Sequence, residues 1–205
     1  MIFIGDIHGK GELYWPLIKK ADDANERTIQ IGDMGCIQQH IIPSIDERNK
    51  FIRGNHDDPA ECKTLPGYLG DFGYLEKDNI FYFSGAWSID RNSRLMGYDL
   101  FEDEELSMAQ CMKALDLYIK SKPFIVVSHD CPQIAKAYLM TNVFKRPDLA
   151  TLYPTRTNQI LQQFFEIHKP SYWIFGHYHR STTFKINKTR FVCIGEGETY
   201  QLELS

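Results

Sequence analysis

Short apolar runs recur along this chain, and five of them break off in the same way. Met1-Ile2-Phe3-Ile4 stops at Gly5-Asp6, and the β-branched run over 28–32 stops at Asp33. A brief run over 50–53 leads into Gly54-Asn55-His56-Asp57, that over 124–127 into Ser128-His129-Asp130, and that over 172–175 into Gly176-His177-Tyr178-His179. Their length and composition predict strands, and residues 79–83 add another. Between them the period lengthens. Leu13, Leu17, Ile18 and Ala21 mark one face of a helix over 9–21, with Pro16 inside it. Residues 34–49 are polar and irregular, Asp58-Pro59 caps a short helix over 59–63, and Pro66-Gly67 marks a turn. An amphipathic helix is predicted from the acidic 102–105 stretch to about Lys120, with acids at its start and lysines at its end to suit the helix dipole. Helices over 133–140 and 156–168 follow. The tail pairs 182–186 with 190–194 across Asn187-Lys188 as a hairpin, and a strand near 200–204 closes the chain. No repeat or linker interrupts this order, so residues 1–205 read as one α/β domain.

Composition narrows the class without naming a function. With 205 residues and 43% hydrophobic content the chain can bury a full core, and a formal charge of -4 does not suit a general grip on nucleic acid. No dedicated nucleic-acid-binding segment or basic run is present. Cys36, Cys62, Cys111, Cys131 and Cys193 are odd in number and lack Cys-x-x-Cys spacing, which argues against a disulfide framework or a thiolate metal site. No signal peptide and no run of about 20 apolar residues is visible, so a cytoplasmic protein without a membrane span is expected.

The strand ends carry the chemistry. In α/β folds ligands gather just beyond the carboxyl ends of strands, and here each such end presents a carboxylate, an amide or an imidazole. Taken singly, Asp6 or Asp33 is an ordinary turn aspartate, and Asn55 an Asx-turn. Taken together they form an all-oxygen-and-nitrogen ligand set that suits manganese, iron, zinc or nickel. Two such ions about 3.5–4 Å apart clamp a displacement at phosphorus. Asp33, with no histidine beside it, is the natural ligand to be shared. His40 and His168 follow no strand and belong to no motif. Asp57 and Asp130 are expected to support the ligands, Cys36 and Cys131 to be inert buried thiols, and 102–105 to be a solvated helix start.

The ordered set Asp-x-His, Gly-Asp, Gly-Asn-His-Asp, His and Gly-His-x-His, running from residue 5 to residue 179, resembles the calcineurin-like metallophosphoesterase superfamily. The resemblance implies a four-layer sandwich of two mixed β-sheets flanked by helices, with a dinuclear metal site at the strand ends. It implies one ion held by Asp6, His8, Asp33 and His179, and a second held by Asp33, Asn55, His129 and His177. It implies that a metal-bound hydroxide attacks phosphorus, while His56 is a general acid or steadies the transition state. The stretch from Gly85 to Arg94 and the Ser128-His129-Asp130-Cys131-Pro132 run are similar to a bacterial and phage-type branch, which places Asn55 and either Arg91 or Arg94 near the substrate.

The protein serine/threonine phosphatases of this superfamily carry a second aspartate and an arginine after the bridging aspartate. Cys36 and Ile37 stand there instead, which counts against that branch. The expected partner is a phosphate-ester small molecule or nucleotide, with selectivity set by loops 34–49, 57–78 and 140–157. The alternatives are a nuclease or cyclic-nucleotide phosphodiesterase on the same site, and a non-catalytic scaffold of the same fold.

Overall fold

Side-chain alternation along the strands decides the layering. The structure, a computed structural model, describes residues 1–35, 47–149 and 154–203. In β1 (Ile2–Ile4), Phe3 points into the space between two sheets while Ile4 points out toward helices, and both are fully buried. β2 (Thr28–Ile31) and β3 (Asn49–Ile52) continue the first sheet in parallel, and β10 (Thr199–Gln201) closes its edge antiparallel to β1. On its outer face Ile4 and Phe51 pack with Tyr14 and Ile18 of α1 (Gly11–Asp23) and Cys62 of α2 (Pro59–Cys62).

The second sheet is longer. Its order is β4 (Phe72–Leu75), β5 (Ile80–Phe83), β6 (Ile125–Ser128), β7 (Tyr172–Phe175), β9 (Thr189–Cys193), β8 (Thr182–Ile186). The four central strands run parallel, and both edge strands run antiparallel to their neighbours. Parallel strands covered on both faces are apolar throughout. Ile80, Tyr82, Ile125, Val127 and Ile174 meet Phe3, Ile29, Ile31 and Ile52 between the sheets. Phe81, Phe83, Val126, Trp173 and Phe175 face α3 (Met108–Ser121), α4 (Gln133–Tyr138) and α5 (Arg156–Ile167). The result is the four-layer α/β sandwich expected from the resemblance, with two mixed sheets between helices.

The differences from the predicted elements have local causes. α3 begins at Met108 because Ser107 and Gln110 form a reciprocal capping box; the acids at 102–105 lie before it and do not form its first turn. Two of those acids are buried rather than solvated: Glu104 is 1% exposed and Glu105 is 6% exposed. Glu105 accepts the backbone N–H of Thr157 at 2.7 Å, near the start of α5. β4 is absent from the sequence reading because Gly73 interrupts its apolar run; the ring of Tyr82 lies against that glycine. The predicted closing strand shortens to Thr199–Gln201, and residues 204–205 lie outside the described residues. No helix among the described residues is long and apolar enough to cross a membrane.

Candidate metal centre

β1, β2, β3, β6 and β7 all deliver their following residues to one rim, because they run parallel within their sheets. The turns there are sharp. His8, Asp33, His177 and His179 have positive φ, of 49°, 55°, 67° and 49°. Such backbone costs on the order of 1–3 kcal/mol per non-glycine residue and persists where surrounding structure over-determines it. Two glycines make room for carboxylates: a Cβ on Gly54 would overlap Asp33, and one on Gly176 would overlap Asp6. Asp57 staples the turns together. It accepts the backbone N–H groups of Met34 at 3.2 Å, Gly35 at 2.7 Å and Gly54 at 2.8 Å, which fulfils its expected supporting role.

Six of the seven predicted ligands form two groups on this rim, and the seventh, Asn55, lines the same cleft as Asp33, His177 and His179. Potential ligand atoms of Asp6, His8, Asp33 and His179 lie within 4.8 Å of one another, as do those of Asp33, His129 and His177. Asp33 belongs to both groups. The ring nitrogens of His8 and His179 face each other at 2.9 Å, and His179 Nε2 lies 3.1 Å from Asp6 Oδ2. On the other side, His129 Nδ1 donates to the Ile31 carbonyl at 2.9 Å, which leaves Nε2 to face Asp33 Oδ2 at 3.3 Å. A second partner that fixes ring orientation in this way accompanies nearly every metal-bound histidine.

The polar inventory fits a cation. Among the described residues, His129 Nε2 and Asn55 Oδ1 are buried side-chain atoms without a hydrogen-bond partner, and both belong to the predicted second ligand group. Buried polar atoms without partners are rare and costly. The electrostatics agree. Burial raises the Asp33 carboxyl, but the imidazoles of His129, His56 and His8 outweigh it and hold the group well below the usual range. Burial lowers His129, yet Asp33 and Asp6 push it up. The rim therefore calls for positive charge opposite its carboxylates.

His56 and Arg94 stand beside this group. Arg94 Nη2 donates to His56 Nε2 at 2.6 Å; a guanidinium only donates, so that ring nitrogen accepts. Burial lowers the His56 pKa and Arg94 lowers it further, against the pull of Asp33. Arg91 does not reach the site. Its guanidinium lies 3.7 Å above the Trp87 ring and 3.4 Å from Glu104 Oε1, so of the two predicted arginines only Arg94 lines the cleft. His168 hydrogen-bonds the Pro123 carbonyl at 2.9 Å, as an ordinary satisfied histidine. Cys131 is fully buried and its thiol is pushed well up, chiefly by burial and then by Asp130. Cys36, Ile37 and His40 lie outside the described residues.

A cleft of about 420 Å³ opens from Asp33, Asn55, His56, His177 and His179 toward a mostly apolar wall of Trp87, Ile89, Met140, Leu149 and Tyr178. That wall draws on the 140–157 loop as predicted. The 57–78 loop contributes nothing to it among the described residues, and Trp87 and Ile89 come from a stretch where only arginines were singled out. Ser88 and Glu104 are also missed by sequence reasoning. Ser88 accepts Asn55 Nδ2 at 2.9 Å and bonds Glu104 Oε2 at 2.7 Å, a link across 16 residues that no motif spacing carries.

A family model described as calcineurin-like phosphoesterase matches residues 1–181. No curated protein matches the chain. Among solved structures, the protein TT1561 of Thermus thermophilus is similar at a TM-score of 0.54 and 12% identity, over 96% of this chain and 89% of the other. A Staphylococcus aureus protein designated a putative 5'-nucleotidase is similar at a TM-score of 0.50 and 14% identity, over 96% of this chain and 48% of the other. At such identities these likenesses concern the fold.

Proposed function

The chain belongs to the calcineurin-like phosphoesterase family, and on that premise we propose that it is a dinuclear metal-dependent hydrolase of a small organic phosphate ester. The observation that carries this reading is the membership of Asp33 in two separate candidate ligand groups, beside the buried Asn55 Oδ1, which has no hydrogen-bond partner among the described residues. Asp6, His8, Asp33 and His179 would hold one divalent ion, and Asp33, Asn55, His129 and His177 the other. Manganese, iron, zinc and nickel all suit this donor set. When bound, such ions lower the pKa of water toward neutrality and offset charge on phosphoryl oxygens.

The remaining work falls to the chain itself. Asp33, common to both candidate groups, would screen two such ions from each other. Gly54 and Gly176 leave room for the carboxylates, and the left-handed turns aim the imidazoles inward. His56 either protonates the departing oxygen or steadies charge on the phosphoryl group. The guanidinium of Arg94 at 2.6 Å supports the second role, since a cation beside the ring works against a further proton. Arg94 itself offers N–H donors to phosphoryl oxygens. The organic part of the ester lies against Trp87, Met140 and Tyr178, in a cleft sized for a small molecule.

Retention of every ligand together with His56 favours an enzyme over a scaffold. The testing experiment is hydrolysis of a matched phosphomonoester and phosphodiester by protein loaded with manganese, iron, zinc or nickel. Turnover of either is expected. Failure with both substrates across all four metals overturns the reading.

A further inference from the structure

Behind Asn55 lies a hydrogen-bonded junction that the hydrolysis of an ester does not by itself require. Ser88 Oγ has three partners: Glu104 Oε2 at 2.7 Å, Asn55 Nδ2 at 2.9 Å and Arg94 Nη1 at 3.1 Å. A hydroxyl owns one proton and two lone pairs. A carboxylate only accepts and a guanidinium only donates, so Ser88 gives its proton to Glu104 and accepts from Arg94. It then has only a lone pair for Asn55. The asparagine must turn its NH₂ back toward Ser88, and its Oδ1 is thereby aimed forward, buried and without a partner among the described residues. The opposite amide orientation would present a donor to a cation and repel it.

Glu104 is built for this wiring. It is 1% exposed, and its carboxylate also accepts the Ser88 backbone N–H at 3.1 Å and Arg91 Nη1 at 3.4 Å. A buried carboxylate is costly unless it is paired and hydrogen-bonded, and here its contacts run to Ser88 and to Arg91. The same hydroxyl holds Arg94, whose other nitrogen reaches His56. One side chain thus fixes both an amide at the metal rim and the arginine on the neighbouring wall.

Given the dinuclear reading of the centre, on which this inference rests, we propose that Glu104 and Ser88 are positioning residues that set the polarity of Asn55. They present its oxygen to the second cation and keep Arg94 against His56. Asn55 donates to Ser88 and Ser88 donates to Glu104, a relay of hydrogen-bond direction along which no proton is transferred.

Titration of metal-free, full-length protein with Mn²⁺, followed by calorimetry and by the electron paramagnetic resonance of the coupled pair, tests this without a substrate. Ser88→Ala removes the acceptor. Glu104→Gln keeps the volume but offers an NH₂ to Ser88, which frees the hydroxyl proton to point at Asn55 and turn the amide round. In both variants the second Mn²⁺ is expected to bind about 10–100-fold more weakly, with the first within about twofold of wild type. Ser88→Thr, which keeps the hydroxyl, is expected to hold the second ion more tightly than Ser88→Ala. Second-ion affinity within about twofold of wild type in both Ser88→Ala and Glu104→Gln overturns the positioning role. A wild type that binds one ion or none overturns the dinuclear reading itself.

Discussion

The two walls of the cleft are built on different principles. The wall of candidate metal ligands hangs from parallel strands, and these residues lie one to four residues past a strand end. Asp6, Asp33, Asn55 and His129 are buried, and His8, Asp33, His177 and His179 adopt left-handed backbone. The opposite wall comes from the stretch after β5 and from the segments around α4 and α5, and it includes Ile89 at 79% exposure. Rigid sheet ends hold geometry to the tolerance that coordination demands, whereas loops can vary without disturbing the core. Under the proposed function chemistry and selectivity are separable, and substitutions on the two walls should fail in different ways.

The largest effect should come from emptying the metal wall. Stripping divalent ions with a chelator is expected to abolish turnover while leaving circular dichroism unchanged, and returned metal should restore it; full activity in the stripped protein would end the contrast between the walls. Next is His56→Ala, expected to lower kcat by about 10²–10³-fold with both metals still bound. Metal analysis alongside the assay checks this, and near-normal turnover would remove His56 from the chemistry.

Where the walls meet, Arg94→Ala is expected to reduce kcat/KM by about 10–100-fold, as for loss of a charged donor to a phosphoryl oxygen. Arg91→Ala, one step back behind Trp87, should cost several-fold less in the same assay. The smallest effect belongs to the apolar wall. Trp87→Ala should raise KM about tenfold for a nucleoside 5'-monophosphate, equivalent to about 1.4 kcal/mol, and change that for ribose 5-phosphate little. Both esters carry the phosphate on the same 5' oxygen and differ in the base, so equal shifts for both would show that the wall does not read the organic group.

The same division explains what the sequence made legible. Candidate ligands such as Asp6, Asn55 and His177 sit in short motifs whose backbone is set locally by a strand, a glycine and a turn, so their places past the strand ends could be read from the sequence. The α/β class was legible in runs such as Ile125–Ser128, apolar because both of their faces are covered, whereas the layering was implied only by the family resemblance. Glu104 went the other way. Its acidic neighbours read as the start of a helix, but the Ser107–Gln110 capping box sets that start later, and burial beside Ser88 depends on a contact between distant segments. Trp87 and Met140 belong to no motif; only the folded chain brings them to one cleft. Arg91 and Arg94 lie three residues apart and could not be told apart until the turn around Arg91–Ser93 placed one over an indole and the other on His56.

The central claim is that one carboxylate serves two cations. Native mass spectrometry or metal analysis of wild type and Asp33→Asn, each loaded with excess Mn²⁺ and freed of unbound ion, tests it most directly. Two equivalents are expected in the wild type and well under one in the variant, because both ligand groups lose the same anion. A variant that keeps one ion at full occupancy would contradict the shared role of Asp33.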